Sequence, residues 1–322
     1  MSYITNFKYG VSSFGVPLPQ SGGSLGFGLT YFVDGTNGND VNSGESPEEA
    51  FATIQTAITA QIANTKGLGD TIYVLPGSYA ESLTGTLSKV QIIGVNVGAE
   101  VAHAVSVRPT ASYAYTGSMT DSAFRNIMFL SPSSTNTTYP ALFLTYMGYS
   151  TIDNCLFIGR TDACVVGIQI GTSVDDATVV KFDYSSIKNC VFSSFYGEAC
   201  QFAYGIQLAA LTTTNGSVKQ MWHSEISNNS IMAKTVGISI GCNVATCRGS
   251  IIRNNYIASL EDDNGVVYGI SSVDVSNAGI AICHNYIKAQ TDCIYNFLDE
   301  NTFDNYVSVG GAGVVKELPV ST

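Results

Sequence analysis

The side chains best suited to acid–base chemistry form two acidic clusters. Asp175 and Asp176 are adjacent, and Glu261, Asp262 and Asp263 are consecutive. A glycoside hydrolase needs two carboxyl groups, about 6.5–9.5 Å apart in inverting enzymes and about 5–5.5 Å apart in retaining ones. The four Asp residues are therefore candidates for catalysis. Acids in loops are most often solvated turn residues, however, and we favour that interpretation, so we assign no catalytic residue.

The second acidic cluster also offers ligands for a hard cation. Residues 261–264 read Glu-Asp-Asp-Asn, and their oxygens could coordinate Ca²⁺. No wider ligand pattern accompanies them, so we predict no metal and no cofactor. The three histidines lack a Cys or Asp partner at a spacing that indicates a catalytic triad. They are His103, His223 and His284.

Eight cysteines are present without any Cys-x-x-Cys pair. Residues 1–10 lack the basic-then-apolar layout of a signal peptide, so we expect the chain to fold in a cytoplasm, where thiols stay reduced. We therefore interpret the cysteines as small buried hydrophobes. A disulfide between Cys242 and Cys247 is the alternative, and metal binding is less favoured.

A short phrase recurs seven times and organises most of the chain. Its copies begin at residues 124, 152, 187, 226, 252, 282 and 303, which are 21 to 39 residues apart. Phe124-Arg-Asn126-Ile-Met-Phe129 and Ile152-Asp-Asn154-Cys-Leu-Phe157 are the first two copies. A repeat of this length is typical of stacked structures, in which one unit cannot bury its apolar face alone.

The third position of the phrase is Asn in six of the seven copies. Asn tolerates the left-handed backbone conformation that a sharp bend needs. Stacked amides can also form hydrogen bonds from one coil to the next, about 4.8 Å apart. We therefore predict a structural ladder of Asn126, Asn154, Asn189, Asn228, Asn254 and Asn305, with His284 at the same position in the sixth copy.

A second phrase, Gly-Ile-x-Ile or a close variant, follows several copies at residues 167, 205, 237 and 269. Two strands per coil, joined by loops of varying length, predict an all-β, single-stranded parallel β-helix. An antiparallel sandwich is the competing fold, but it would not explain Asn at one repeated register.

The repeats suggest one long domain with four segments. Residues 1–29 are rich in Gly, Ser and Pro with scattered apolar side chains, and we expect them to pack on a neighbouring subunit as an anchoring arm. Residues 30–66 form an N-terminal cap whose amphipathic helix starts at Ser46 and covers the end of the core. Residues 67–310 form the β-helix, and residues 311–322 a tail. The arm residues are Tyr3, Phe7, Tyr9, Phe14 and Leu18.

Composition excludes two classes of partner. Apolar residues make up 45% of the chain and charged residues only 12%, about half the usual share. The net charge of −11 argues against binding to a nucleic-acid backbone. No apolar run reaches the roughly 20 residues of a membrane span. We expect neither nucleic acid nor membrane as a partner.

Three phrases near the start form a recognisable set. They are Asp34-Gly-x-x-Gly-Asn-Asp40, Thr53-Ile-Gln-x-Ala-Ile58 and Gly69-Asp-Thr-Ile-Tyr-Val-x-Pro-Gly-x-Tyr79. This set, within residues 31–95, resembles the opening of the pectin-lyase-like right-handed parallel β-helices. The later coils resemble that superfamily only in their pattern. The resemblance implies the fold and leaves function open, because the superfamily includes lyases, hydrolases, adhesins and phage tailspikes.

The enzymes of that superfamily carry motifs that are mostly missing here. Polygalacturonase-like members have Asn-Thr-Asp, Asp-Asp and Gly-His-Gly on neighbouring coils, and only the Asp-Asp pair occurs in this chain. Pectate-lyase-like members use clustered Asp for calcium and an Arg or Lys as base, and no matching phrase is visible. The resemblance therefore does not indicate a particular reaction.

A rigid solenoid, an apolar arm, missing catalytic motifs and no secretion signal together favour a bacteriophage virion protein. Such proteins are assembled in the host cytoplasm. The layout resembles phage β-helix proteins, which implies a homo-oligomer, with a trimer favoured, bound to capsid or tail proteins. Our first hypothesis is a non-enzymatic head decoration or short spike. The alternative is a tail protein that binds or cleaves a host surface glycan, with Tyr and Trp222 in the insertions between strands (residues 171–184 and 209–224) stacking on sugars.

Overall fold

The computed structural model describes residues 12–13, 16–17, 28–64, 69–95, 104–133, 139–160, 165–171, 180–194, 201–208, 219–241, 247–259, 266–272, 279–295, 297, 301–309 and 315–317. Its first fifteen strands are β1 (Ser12–Ser13), β2 (Val16–Pro17), β3 (Thr30–Val33), β4 (Asp70–Val74), β5 (Gly77–Tyr79), β6 (Leu83–Ser88), β7 (Val90–Gly94), β8 (Val105–Val107), β9 (Tyr115–Thr120), β10 (Ala123–Arg125), β11 (Ile127–Leu130), β12 (Leu142–Gly148), β13 (Thr151–Asp153), β14 (Leu156–Gly159) and β15 (Val166–Ile170).

The later strands are β16 (Val180–Asp183), β17 (Ser186–Lys188), β18 (Val191–Ser194), β19 (Phe202–Leu208), β20 (Lys219–Trp222), β21 (Glu225–Ser227), β22 (Ser230–Ile240), β23 (Cys247–Arg248), β24 (Ser250–Arg253), β25 (Tyr256–Ala258), β26 (Val266–Ser272), β27 (Ile280–Cys283), β28 (Tyr286–Tyr295), β29 (Thr302–Phe303), β30 (Tyr306–Val309) and β31 (Val315–Glu317). Within the described residues there is one α-helix, α1 (Ile54–Ala63), and Pro47–Glu49 form a 3₁₀ turn.

Successive coils stack strand on strand in parallel. The coil formed by β13, β14, β15 and β16 lies on that of β17, β18, β19 and β20, each strand pairing with its counterpart. Ile152 pairs with Ile187, and Phe157 with Phe192. Antiparallel pairing in the described chain is confined to β1–β2 and β30–β31. The all-β right-handed parallel β-helix is confirmed, and the antiparallel sandwich is excluded.

The coils contain more strand than the sequence predicted. β12, β16 and β20 are additional to the two strands per coil that the repeated phrases predict. These strands do not contain the repeated phrases, so the sequence pattern did not indicate how they pair between coils.

The first and last positions of the repeated phrase form the core. The stacked rings of Phe129, Phe157 and Phe192 have centroids 5.6 and 4.7 Å apart. Ile231, Ile257, Ile287 and Val307 continue this row. Because each residue is buried against its counterparts above and below, the row ties neighbouring coils together.

Glycine is required where the second phrase passes this row. A Cβ added at Gly237 would lie 2.3 Å from Cγ2 of Ile257, and one at Gly205 would lie 2.3 Å from Cγ2 of Ile231. Real Cβ atoms do not approach so closely. The repeated Gly therefore lets the strand approach the inward side chain of the adjoining row.

The N-terminal cap differs from the predicted one in where its helix begins. Ser46 accepts a hydrogen bond from the N–H of Glu49, but it caps the 3₁₀ turn. The α-helix begins at Ile54, where Thr53 is the N-cap. Asp40 binds the chain between these turns, because it accepts the N–H groups of Ala52 and Thr53 at 2.9 Å.

The helix α1 closes the end of the core. Ile54, Ala57 and Ile58 are fully buried, whereas Ile62, one turn after Ile58, is 47% exposed. The carboxylate of Glu81 accepts the N–H groups of Ile54 and Gln55 at 3.0 and 2.9 Å. An acid at a helix N-terminus satisfies otherwise unpaired donors. At the other end of the β-helix, β31 folds back on β30.

The seventh copy of the phrase begins one residue earlier than predicted. Thr302 pairs with Ile282, so Asp304 is the left-handed residue at φ 52° and Asn305 falls one position later. The other copies have six residues, and the predicted seventh copy had five. Placing Asn305 in the ladder of third positions was therefore wrong.

Candidate functional site

The candidate catalytic and calcium-binding residues lie outside the described residues, within 172–179 and 260–265. They are Asp175, Asp176, Glu261, Asp262, Asp263 and Asn264. The first segment joins β15 to β16, and the second joins β25 to β26. The arm residues Tyr3, Phe7, Tyr9, Phe14 and Leu18 and also His103 lie outside as well. Within the described part of the chain, no three His, Cys, Asp or Glu side chains are grouped as a metal site requires.

The third positions of the phrase form an outer corner of the β-helix. Asn126, Asn154, Asn189, Asn228 and Asn254 have φ between 51° and 58°, which confirms the predicted left-handed conformation. His284 has φ 55° and serves the same turn. Nδ2 of Asn154 donates to Oδ1 of Asn126 at 2.9 Å, but Asn189 donates to Asp153 instead. The Asn residues of this outer corner therefore serve mainly to form the backbone turn, and their side chains do not make a continuous ladder of amides.

A continuous amide ladder lies one position further along, inside the β-helix. Nδ2 of Asn229, Asn255 and Asn285 each donates to Oδ1 of the Asn on the next coil at 2.9 Å. Asn305 ends the described series. All four side chains are at most 2% exposed. Buried amides that satisfy one another in this way hold the coils in register.

Cysteines occupy this ladder position on earlier coils. Cys155 and Cys190 are free and fully buried, and the N–H of Cys190 donates to Oδ1 of Asn229 at 2.9 Å. Cys283 and Cys293 are also free and buried. Cys247 is disulfide-bonded, so the favoured expectation of a reduced thiol is wrong there. Cys242, the alternative's proposed partner, lies outside the described residues.

A second corner carries a row of stacked rings, here called the corner row: Tyr149, Tyr184 and His223. The two Tyr centroids are 4.9 Å apart with an interplanar angle of 1°, and His223 follows 5.1 Å beyond Tyr184. All three have positive φ, from 47° to 51°. A Cβ added at Gly249 on the next coil would lie 2.6 Å from Nδ1 of His223, so the row ends against that glycine.

The corner row stabilises the stacking of coils and offers solvent mainly ring edges. Tyr149 and Tyr184 are 58% and 47% exposed. Parallel rings at this separation cover one another's faces. A sugar ring packs on the face of an aromatic ring, and the inner faces of this row are already occupied. The corner row alone is therefore a poor sugar platform.

A polar patch lies beside the corner row on β12, β16, β20 and β23. Asp183 pairs with Gly148 on one side and Trp222 on the other, and Arg248 follows Trp222. Tyr146, Lys181 and Gln220 form the parallel column two residues earlier along these strands. We call these the Asp183 patch: Tyr146, Lys181, Asp183, Gln220, Trp222 and Arg248.

The Asp183 patch contains polar atoms that are buried without partners. Asp183 is only 7% exposed, and its carboxylate accepts the backbone N–H of Trp222. Within the described structure, Oδ1 of Asp183, Oε1 of Gln220 and Nε1 of Trp222 have no hydrogen-bond partner. The guanidinium of Arg248 lies 6.0 Å from the Trp222 ring centroid. Unpaired buried polar atoms are uncommon and require an explanation.

Burial governs protonation in this patch. It raises the pKa of Asp183, although Lys181 and the N–H of Trp222 act in the opposite direction. Burial also raises the pKa of Tyr146, and the neighbouring charge of Asp183 adds to that increase. Tyr146 and Asp183 lie on the paired strands β12 and β16, which accounts for this influence.

Sequence reasoning identified Trp222 but missed Asp183 and Tyr146. The signal was the distance to the next repeated phrase. Gly148, Asp183, Trp222 and Arg248 each precede the first residue of a phrase by four positions, and the corner row precedes it by three. Counting backwards from each phrase would therefore have placed these side chains in adjoining rows.

No family model and no curated protein matches this sequence. Solved structures are similar in fold. A pectin methylesterase in complex with a hexasaccharide has a TM-score of 0.51 at 12% identity, over 89% of this chain and 91% of that one. The pectin methylesterase from Aspergillus niger has a TM-score of 0.50 at 14% identity, over 92% and 88%.

The GH136 lacto-N-biosidase from Eubacterium ramulus is also similar, with a TM-score of 0.50 at 11% identity. The match covers 87% of this chain and 56% of that one, so this chain corresponds to little more than half of the biosidase. At these identities the likeness shows the fold alone. These neighbours support the parallel β-helix fold of this chain. In the described part of the chain, no helix has both the length and the apolar character needed to cross a membrane.

Proposed function

We propose that the protein is a non-enzymatic structural protein of a bacteriophage particle, a head decoration or short spike anchored by residues 1–29. The observation that carries this proposal is where the chain enters the fold. β3 is the outermost strand at the capped end of its sheet, and the N–H of Leu29 donates to Oδ1 of Asp70 at 2.8 Å. An arm bound to a particle at this point would leave every later coil free to project outward.

The interior supports a role as a rigid projection. The Asn ladder and the stacked Phe row connect successive coils through side chains as well as through backbone pairing. A β-helix of this kind resists bending because every coil contacts its neighbours along their full length. We also propose that the protein assembles as a homotrimer bound to capsid or tail proteins, as the resemblance to phage β-helix proteins implies.

The anchor model is tested by comparing the full chain with a chain that lacks residues 1–29. Both are mixed with purified particles from which the protein is missing, and bound protein is measured after sedimentation. The shortened chain should lose binding while keeping the circular dichroism and thermal transition of the full chain. Equal binding by two folded chains would contradict the model.

A second candidate function is a phage tail protein that binds or cleaves a host surface polysaccharide. The Asp183 patch favours it, because unpaired polar atoms beside Trp222 and Tyr146 suit a hydroxyl-rich ligand. Asp175, Asp176, Asp262 and Asp263 stay the candidates for acid–base chemistry. Release of reducing ends from host polysaccharide, abolished when these Asp residues are changed to Asn, would support cleavage. Binding without release would support a receptor-binding role.

A further inference from the structure

The unpaired atoms of the Asp183 patch form a complementary set. Oδ1 of Asp183 and Oε1 of Gln220 are acceptors, and Nε1 of Trp222 is a donor. Asp183 and Trp222 face each other on paired strands, and Gln220 is two residues from Trp222 on the same face. Leaving such atoms buried and unbonded costs free energy, so a ligand that supplies the missing bonds is favoured there.

The ligand must both donate and accept hydrogen bonds. A hydroxyl group can donate to one of the two acceptors and accept from the indole N–H. Two neighbouring hydroxyl groups on one sugar ring can donate hydrogen bonds to Asp183 and Gln220 at the same time. An ionised carboxylate group cannot donate a hydrogen bond, and it would bring negative charge towards Asp183.

The charges around the patch also favour a neutral ligand. Lys181 and Arg248 are the cations that face it. Asp183 and Asp121 supply negative charge, and both raise the pKa of Tyr146. His223 lies at the adjoining corner. The two cations and two carboxylates balance, so a charged ligand has no net attraction to this site.

Tyr146 covers the patch from the side of the preceding coil. A Cβ added at Gly148 would lie 2.1 Å from the Tyr146 hydroxyl, so the phenol ring lies directly on Gly148, which pairs with Asp183. The glycine leaves room for this ring. Tyr146 is only partly buried, so its ring lies at the rim of the patch.

We propose that the Asp183 patch is a subsite for a neutral saccharide, whose neighbouring hydroxyl groups pair with Asp183, Gln220 and Trp222 after Tyr146 turns away. This proposal rests on the second candidate function, because it specifies where and how a glycan would be held.

The full chain contains a reporter at this site, because Trp222 is its only tryptophan. Trp222 emission is followed during titration with neutral α-glucan, β-glucan, mannan and galactan oligosaccharides. Polygalacturonate serves as the anionic comparison. We expect a saturable change in emission with at least one neutral probe and none with polygalacturonate.

Matched variants assign the signal to the patch. Asp183→Asn should weaken binding about tenfold, since hydrogen bonds to a charged group are among the stronger ones. Trp222→Phe keeps an aromatic ring but loses the indole N–H, and calorimetry should show roughly three- to tenfold weaker binding. Tyr256→Ser is the control, because Ser230 occupies the same register on the adjacent coil. It should bind as the unchanged protein does.

The outcomes separate the subsite from the function. Calorimetric binding without any change in Trp222 emission, or binding unaffected by both Asp183→Asn and Trp222→Phe in folded protein, would overturn the subsite and leave glycan binding intact. No binding of any probe by either method would overturn both. Saturation by polygalacturonate alone would overturn the neutral-ligand assignment.

Discussion

The side-chain amide of Asn255 donates to Oδ1 of Asn285 at 2.9 Å, and the backbone N–H of Asn255 donates to the same oxygen at 3.0 Å. The side-chain oxygens of Asn255, Asn285 and Asn305 thus each accept two hydrogen bonds from the coil before. The amide of Asn255 also donates to the carbonyl of Ile226 at 3.0 Å. One side chain therefore connects three coils.

Replacing Asn255 with Ala should strongly destabilise the β-helix. The change removes the two bonds that the amide donates and leaves donors of Asn229 without their acceptor, so the expected loss is about 3 kcal/mol or more. The measurement is the free energy of unfolding in denaturant. Asn254→His is the matched control, because His284 occupies the same outer position and φ. Equal losses in the two variants would contradict the distinction between inner ladder and outer corner.

Gly237→Ala should also destabilise the protein. The added methyl group would lie 2.3 Å from Ile257 and 2.7 Å from the carbonyl of Gly269, and overpacking of this kind costs about 1–3 kcal/mol. Ser239→Ala on the same strand serves as the control, since it adds no atoms. A stability unchanged by Gly237→Ala would show that the glycine row is not sterically required.

Truncation of the stacked ring Phe157 to Ala should cost about 3–5 kcal/mol, because it opens a cavity between Phe129 and Phe192. Val191, which is 38% exposed and adjacent to Phe192 in sequence, offers a comparison outside the core. Val191→Ala should change the free energy of unfolding by less than about 0.5 kcal/mol. Similar effects of the two changes would argue against a continuous core row.

The helix cap should respond to pH through Glu81. Burial raises the pKa of Glu81, although the N–H groups of Gln55 and Ile54 oppose that increase. Because the folded pKa lies above the unfolded one, protonation favours the folded state. As the pH falls from above the folded-state pKa of Glu81 to its unfolded-state pKa, the unchanged protein should gain stability relative to the Glu81→Gln variant. Unfolding of both chains across the acidic range measures this difference, and a difference that does not vary with pH would contradict the account.

Much of this fold was predictable because a stacked repeat places one residue type at one position. The apolar ends of the phrase, the left-handed Asn corners and the parallel pairing all follow from that pattern. The inner ladder was harder to see, because Cys155 and Cys190 occupy its position before Asn229 does. A row of stacked side chains is hard to recognise from the sequence when its residue type changes from one coil to the next.

The Asp183 patch was less predictable for a different reason. Its side chains come from β12, β16, β20 and β23, which carry no shared phrase, and only pairing between coils brings Tyr146, Asp183 and Trp222 together. The seventh copy shows a related difficulty. Starting the seventh copy one residue too late placed Asn305 at an outer corner, whereas it lies in the inner ladder. A shift of one residue has this effect because alternate positions in a strand face opposite sides.

The measurement that tests the central claim most directly is antibody-gold labelling of intact particles from the source culture, viewed by electron microscopy. The account predicts gold on the surface of phage particles. Label spread over the head indicates a decoration protein, and label confined to the tail indicates the glycan-binding role. Absence of label from every particle, in a culture where the protein is present, would contradict the assignment to the virion.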